Sequence, residues 1–272
     1  ILHSSYNETG GYVSDTYKLS QCDIIYRMDS SISKGQFAGL VELAEVDSTN
    51  KELLRRLDSD TPELFAVTAD KQTAGLGRLG RNWVTEAGKS LAVSILLRPT
   101  NQRQTDWITI MAGLALGSAL EKHGLIVSLK WPNDLLVDGK KLSGILAEMV
   151  DINTVVLGIG INIKPQEHSP DTATSLEELG LKMEKAELLF AIAAELKSYW
   201  SRLTEDPETA IAQFQAELLT RCGTLGTRVR AELPGGKNLY GVAVAIDETG
   251  RLIIETPEPV ALAAADVWHL RS

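Results

Sequence analysis

Apolar and polar positions divide the chain into two parts with different patterns. Up to about residue 222, short apolar runs alternate with longer segments of helical periodicity. Strands are predicted at 41–46, 65–69, 91–97, 127–130, 135–137, 142–149 and 154–163. Helices are predicted at 51–57, 107–120, 185–203 and 207–219. This mixture predicts an α+β domain over residues 41–222.

The last 50 residues have a different texture. Five short alternating runs are separated by Gly, Pro and Asp clusters typical of turns, at 228–233, 240–246, 251–255, 260–262 and 267–270. Five strands so close together indicate a small β-barrel. The second predicted domain therefore covers residues 223–272.

Three local signals refine this outline. Asp138-Gly139 lies between two predicted strands and is a strong hairpin signal. Thr49 and Glu52 have the spacing of a capping box at the first helix. Residues 1–40 lack periodicity, which predicts a loose, poorly ordered arm, and Ile1 as first residue indicates a processed or truncated chain.

Composition and charge exclude several classes of protein. The chain has 272 residues, of which 44% are hydrophobic and 23% charged, as in ordinary globular proteins. The net charge of −9 counts against a nucleic-acid partner. We find no apolar run near the roughly 20 residues of a membrane span and no signal peptide, so we expect a cytoplasmic location. Cys22 and Cys222 lack metal or redox spacing and are interpreted as reduced thiols.

A glycine-rich segment follows the second predicted strand. Gly75, Gly77 and Gly80 can adopt positive φ and let a ligand approach the backbone, while Arg78 and Arg81 suit an anion such as phosphate or carboxylate. The alternative is a mobile loop with solvated arginines. The segment is not a P-loop, because it has no Gly-Lys-Ser/Thr ending.

Two further segments carry polar groups at strand ends. In Lys130-Trp131-Pro132-Asn133-Asp134, the last two side chains could meet a metal–phosphate group, although the same residues are common in simple turns. Lys141 begins an apolar strand, where a fixed ammonium could neutralise developing negative charge. The alternative is that Lys140 and Lys141 are two solvated hairpin lysines.

Gly158, Gly160 and Asn162 share one face of the strand predicted at 154–163. Glycine weakens a strand unless something must come close to its backbone. We therefore predict that a ligand or a tightly packed neighbour lies against this face.

In this order, the segments resemble the motif series of biotin–protein ligases over about residues 41–270. The matching motifs are Ser48-Thr49-Asn50, Gln72-Thr73-Ala74-Gly75, Gly77-Arg78, Gly80-Arg81, Lys130-Trp131-Pro132-Asn133-Asp134, Lys141-Leu142-Ser143-Gly144-Ile145-Leu146 and Gly158-Ile159-Gly160-Ile161-Asn162. The resemblance implies a mixed-sheet catalytic domain like that of class II aminoacyl-tRNA synthetases and an SH3-like C-terminal barrel. It also implies formation of biotinyl-5′-AMP from biotin and Mg-ATP, then biotinylation of a lysine on a biotin carboxyl carrier domain.

By the same resemblance, individual residues acquire roles. The catalytic cations would be Lys141 and Arg78. The biotin-binding residues would be Ser48, Thr49, Asn50, Gln72, Gly75, Gly77, Arg78, Lys141, Gly144, Leu146 and Gly158. The nucleotide and adenylate would be bound by Arg78, Arg81, Trp83, Asn133, Lys141 and Asn162, with Asp134 as the metal ligand.

The chain departs from the family pattern at two places. Leu76 replaces an arginine of the glycine loop, which we expect to weaken retention of the adenylate. The front segment lacks the pattern of a winged helix-turn-helix, so we expect the ligase-only form, without nucleic-acid or membrane partners and as a monomer or weak homodimer. The alternatives are a lipoate or octanoyl ligase or transferase, a biotin-sensing transcription regulator, and a binding module without activity.

Overall fold

The computed structural model describes residues 36–83, 85–167, 169–233, 236–263 and 265–270. Most of the arm predicted for residues 1–40, including Cys22, thus lies outside the described residues. The remaining elements occur as predicted, with ends shifted by a few residues.

A seven-stranded mixed sheet forms the larger domain. Its strands are β1 (Gly39–Val46), β2 (Phe65–Gln72), β3 (Ser90–Leu97), β4 (Ser128–Lys130), β5 (Asp134–Val137), β6 (Lys140–Asp151) and β7 (Thr154–Asn162), in the order β1-β2-β3-β7-β6-β5-β4. The β1–β2 pair is parallel and the others are antiparallel. β3 is buried at all eight positions because both faces of the sheet are covered there.

Helices cover the two faces of this sheet unequally. The helices are α1 (Thr49–Arg56), α2 (Gln102–Lys122), α3 (Lys185–Glu205) and α4 (Pro207–Arg221). The long helices α2, α3 and α4 build the main core with one face. On the opposite face, the single short helix α1 packs Leu53 against strand residues such as Val67 and Val156. This helix covers only part of its face, and the uncovered part holds Gly158 and Gly160.

The C-terminal domain is a five-stranded antiparallel sheet of the SH3-like type, as predicted. Its strands are β8 (Arg228–Glu232), β9 (Asn238–Ile246), β10 (Leu252–Glu255), β11 (Val260–Leu262) and β12 (Asp266–His269), in the order β11-β10-β9-β8-β12. Inward residues such as Val229 and Ala231 are completely buried, whereas their neighbours Arg228 and Glu232 face solvent. The alternation in the sequence therefore reports directly which side chains fill this barrel.

The local predictions have mixed outcomes. The hairpin at Asp138-Gly139 is confirmed, with φ of 50° and 76° at the two residues. The capping box at α1 is wrong. Ser48 holds the N-cap position without a side-chain cap, and the carboxylate of Glu52 pairs instead with Arg55 and Arg56 at 3.0 and 2.7 Å. The Thr49 hydroxyl donates to Gln72 Oε1 at 3.1 Å, so both side chains of the expected capping box have other partners.

Two further expectations concern the cysteine residues and membrane-spanning helices. Cys222 is a buried free thiol, and burial raises its pKa. No helix in the described part of the chain combines the length and apolar character of a membrane span.

Candidate active site

A cleft opens on the sheet face that α1 leaves uncovered. It collects most of the predicted site residues, although they come from segments far apart in the sequence. Those that line it are Ser48, Thr49, Asn50, Gln72, Gly77, Arg78, Arg81, Trp83, Asn133, Asp134, Lys141, Gly144, Leu146 and Gly158. The cleft therefore unites the loop after β2, the β4–β5 connection and the centres of β6 and β7.

The glycines of β6 and β7 give the cleft a flat floor. Gly144 pairs with Gly160 across the two strands, and Gly158 lies two pairs further along, opposite Leu146. A Cβ atom on Gly158 would overlap the amide of Asn50, and one on Gly160 would overlap the indole of Trp83. The prediction that a neighbour packs tightly on this face is confirmed.

Hydrogen bonds hold the polar end of the cleft. The backbone N–H of Thr49 donates to Gln72 Oε1 at 2.8 Å. Asn50 Nδ2 donates to Glu148 Oε2 at 2.5 Å, and Asn50 Oδ1 accepts from Ser94 Oγ at the same distance. Because both ends of the Asn50 amide are engaged, its orientation is fixed. The network presents a rigid polar surface rather than mobile side chains.

The glycine-rich loop is a tight hairpin. Leu76 and Asn82 form an antiparallel bridge, and the N–H of Gly77 donates to Arg81 O at 2.7 Å. Of the three predicted glycines only Gly80 has a positive φ, 72°, and Leu79 shares this region at 55°. The conformational freedom predicted for these glycines is thus used only at Gly80, because the hairpin needs the left-handed conformation only at its tip.

Lys141 occupies the centre of the cleft. Its Nζ lies 2.7 Å from Asp134 Oδ1 and 5.6 Å from the ring centre of Trp83. The backbone of Lys141 is clamped as well, since its N–H donates to Thr172 O at 2.7 Å and its carbonyl accepts from Thr174 N at 2.9 Å. The alternative of two solvated lysines thus holds only for Lys140, which is exposed.

The two loop arginines are held by different partners. Arg78 Nη1 donates to Asn133 Oδ1 at 3.1 Å and to Ala265 O at 3.4 Å. Arg81 forms an ion pair with Asp266. Burial lowers the pKa of Arg78, and the nearby Asp134 carboxylate opposes this shift. Burial also lowers the pKa of Lys130, again opposed by Asp134. The cleft is thus rich in cations.

Two predicted residues lie elsewhere. Gly75 does not line the cleft; it packs against the Gln72 side chain and the carbonyl of Trp83. Asn162 lines a separate surface pocket, where Nδ2 donates to Thr174 O at 3.0 Å and Oδ1 accepts from Gln166 Nε2 at 3.2 Å. Strand parity places Asn162 on the same face as Gly158 and Gly160, but Gln166 and Thr174 cover that end of β7.

Sequence reasoning missed a whole wall of the cleft. The missed residues are Ala265, Asp266, Val267 and Trp268 of the C-terminal barrel. The contact between Arg81 and Asp266 spans 185 residues, and no local pattern marks it. Ser94 was missed too, because an isolated serine in an apolar strand has no distinguishing spacing.

The cleft offers two carboxylates that could serve as donors to a magnesium ion. In the described part of the chain, no three His, Cys, Asp or Glu side chains cluster as a metal-binding set. Asp134 and Asp266 are the carboxylates lining the cleft, and both are paired with cations. Magnesium commonly uses one or two carboxylates together with substrate phosphates. The donor set therefore fits an ion that arrives with a nucleotide.

A mixed sheet with a glycine-floored, cation-rich cleft and an SH3-like barrel defines the class of ligases that activate biotin or lipoate. The biotin/lipoate A/B protein ligase family matches residues 43–164, and the biotin protein ligase C-terminal domain matches residues 224–270. The chain belongs to the biotin protein ligase family.

Individual relatives support this assignment. The biotin–[acetyl-CoA-carboxylase] ligase of Mycobacterium tuberculosis is 37% identical, over 84% of this chain and 88% of that protein. The bifunctional ligase/repressor BirA of Bacillus subtilis is 33% identical, over 92% of this chain and 79% of that protein. The structure of the Aquifex aeolicus biotin protein ligase in complex with biotin and ATP aligns with a TM-score of 0.73 and 31% identity, covering 87% and 100% of the two chains.

Proposed function

We propose that the chain activates biotin with ATP and transfers the biotinyl group to a lysine of a biotin carboxyl carrier domain. The observation that carries this proposal is Lys141, a cation fixed over a glycine floor between Asp134 and Trp83. Joining a carboxylate to a phosphate brings two anions together, so a fixed cation at their meeting point lowers the barrier.

In the first step, a carboxylate oxygen of biotin attacks the α-phosphorus of ATP. The new O–P bond gives biotinyl-5′-AMP, and the bond to the leaving pyrophosphate breaks. Lys141 stabilises charge at the attacking and α-phosphate oxygens, and Arg78 stabilises the phosphates. Their positions are set by Asp134 and Asn133, so little reorganisation is needed when the substrates meet.

In the second step, the neutral ε-amine of the acceptor lysine attacks the acyl carbon. An amide forms, AMP leaves, and the amine releases a proton to solvent. Among the described residues that line the cleft, there is no cysteine and no histidine. We therefore propose direct transfer without a covalent enzyme intermediate.

The cleft residues divide between the two substrates. The head group of biotin is bound by Ser48, Thr49, Asn50 and Gln72, along a wall formed by Gly144, Leu146 and Gly158, since burial of a ureido group requires polar partners. The nucleotide is bound by Arg78, Arg81, Trp83 and Asn133. Magnesium, held mainly by ATP with Asp134 as protein ligand, would neutralise phosphate charge. Gly75 and Asn162 support the site from outside the cleft.

Biotin-dependent exchange of pyrophosphate into ATP tests the first step. We expect exchange with biotin and none with lipoate. Lys141→Ala should lower the rate about 100-fold or more, the scale of losing one group that stabilises developing charge. The matched control is Lys140→Ala, which removes the adjacent exposed lysine and should retain the wild-type rate.

The outcomes separate the alternatives. Exchange with lipoate instead of biotin would move the chain to the lipoate branch of the class. Folded protein with no exchange for either acid would refute the enzymatic proposal. Incorporation of labelled biotin into a purified carrier domain tests the second step.

Location and assembly complete the proposal. We infer a cytoplasmic enzyme without nucleic-acid or membrane partners, acting as a monomer or weak homodimer. The net charge of −9 supports the absence of a nucleic-acid partner. Sedimentation equilibrium with and without biotin and ATP tests the assembly, and a stable dimer without ligands would contradict it.

A further inference from the structure

The barrel is fastened to the catalytic domain at the turn between β9 and β10, residues 247–250. Two indoles of the catalytic domain donate to carbonyls of this turn: Trp107 Nε1 to Glu248 O at 2.9 Å and Trp131 Nε1 to Gly250 O at 3.0 Å. Gly250 has a φ of 77°, and a Cβ there would lie 3.2 Å from Asp106 O. The turn is therefore closely fitted to α2.

Trp131 has a second bond to the barrel domain. Its backbone N–H donates to Thr224 Oγ1 at 3.0 Å, and the same hydroxyl is 3.0 Å from His269 Nε2. Trp131 and Thr224 are both almost completely buried. A buried N–H requires a partner, and here the partner is supplied by the C-terminal domain. Thus both the backbone and the side chain of Trp131 are bound by residues beyond α4.

Trp131 is directly connected to the reactive centre. Only Pro132 separates it from Asn133, which binds Arg78, and the next residue, Asp134, binds Lys141. The ring of Pro132 restricts its φ, so little freedom is available to absorb a displacement of Trp131. A shift of Trp131 is therefore passed to the partners of both catalytic cations.

We propose that Thr224 and Trp131 are positioning residues through which the barrel sets the geometry of Lys141 and Arg78 for adenylation. Neither residue needs to touch the substrates' reacting atoms for this role. The inference rests on the proposed function, and it assigns the barrel a part in the first chemical step. It predicts a loss in kcat with little change in the affinity for biotin, because the residues proposed to bind the head group of biotin, such as Thr49, Asn50 and Gln72, are held by hydrogen bonds that do not involve Trp131 or Thr224.

The test compares Thr224→Val with Thr224→Ser in the full chain. Valine matches the shape of threonine but removes the acceptor of the Trp131 N–H, whereas serine keeps the hydroxyl. We expect Thr224→Val to lower kcat of biotin-dependent pyrophosphate exchange about 10-fold, since small misplacements of catalytic groups have large effects. The Kd for biotin, measured by calorimetry, should change less than two-fold. Thr224→Ser should restore most of kcat.

A second pair controls for stability. Trp131→Phe and Trp107→Phe each remove one indole bond to the same turn, but only Trp131 lies in the cleft. We expect similar decreases in urea midpoint for both and a loss of kcat for Trp131→Phe alone.

The possible results distinguish failure of this inference from failure of the proposed function. Equal kcat values for wild type, Thr224→Val and Thr224→Ser, or parallel losses of kcat for both tryptophan variants, would overturn the inference while leaving the proposed function intact. A wild-type chain without biotin-dependent exchange would overturn both.

Discussion

The carboxylate of Asp134 on β5 and the ammonium of Lys141 on β6 form an ion pair of 2.7 Å across the hairpin closed by Asp138-Gly139. The pair holds the cation over the glycine floor, where it also faces the ring of Trp83. Its partly buried position makes it a more effective positioning contact than the more exposed ion pair between Asp47 and Arg55.

Asp134→Asn should lower kcat for adenylation about 10-fold, because Lys141 loses the charge that fixes it. Pyrophosphate exchange at saturating biotin and ATP measures this effect. Asp138→Asn removes a carboxylate from the turn of the same hairpin, at a φ of 50° that asparagine tolerates. This control should retain full activity, and an equal loss in both variants would show that general hairpin charge, rather than the pair, matters.

Alanine at Gly158 and at Gly160, two of the glycines in the floor of the cleft, should change the KM values of different substrates. A Cβ on Gly158 displaces Asn50, so Gly158→Ala should raise KM for biotin about 10-fold or more. A Cβ on Gly160 displaces Trp83, so Gly160→Ala should raise KM for ATP instead. Steady-state exchange with each substrate varied measures both. The assignment of the two regions fails if both variants change the same KM.

Asp266→Asn should lower KM for ATP about two- to five-fold, the range for a partly exposed ion pair. Removing this carboxylate frees Arg81 from the barrel and leaves it available to phosphate. Glu232→Gln is a suitable control, since Glu232 is the register partner of Asp266 on β8 but is exposed to solvent. A higher KM in Asp266→Asn would mean that the pair positions Arg81 for the nucleotide rather than competing with it.

Leu76→Arg should slow release of biotinyl-5′-AMP about 10-fold, because it adds a cation to a loop position that lines the cleft. Release of labelled adenylate after rapid dilution measures this rate. Leu79→Arg adds the same charge at the loop tip, where the side chain is 76% exposed, and should have little effect. Equal release rates for wild type and Leu76→Arg would remove the hypothesis that Leu76 weakens retention.

Stability should depend on pH through His269. Burial, assisted by Lys130, lowers the pKa of His269 below its ordinary value of 6.5. The unfolded chain then binds a proton at His269 more readily than the folded chain does. The contribution of neutral His269 to the free energy of unfolding is therefore fully present above pH 6.5 and is lost as the pH falls below this value.

Urea unfolding at about pH 7.5 and about pH 5.5 tests this linkage. Wild type should lose more stability on acidification than His269→Gln. His123→Gln, which replaces an exposed histidine, should follow wild type. If all three proteins lose stability equally, the linkage through His269 is refuted.

Local patterns in the sequence were sufficient to predict the helices and strands and to place most of the glycines that form the floor of the cleft. The mostly apolar run of β3, interrupted by Ser94, predicts a strand that is buried on both faces, whereas the alternation in β8 predicts a strand that is buried on one face. Gly158 and Gly160 could be placed on one face for the same reason, and Asp138-Gly139 requires its turn through backbone sterics alone.

Contacts between distant segments were decided only by the tertiary structure. The sequence by itself determined that Lys141, Arg78 and the glycines match one series of motifs. It also predicted a small C-terminal β-barrel, and the SH3-like type of this barrel was implied by the family resemblance. It could not show that Asp266 pairs with Arg81 or that Thr224 and Gly250 hold Trp131. Nor could it show that Asn162 is bound by Gln166 and Thr174. Helix and strand periodicity depend on near neighbours, whereas these contacts depend on how two domains and several loops pack together. Packing of this kind assigns partners to side chains across as many as 187 residues, and no spacing along the chain records it.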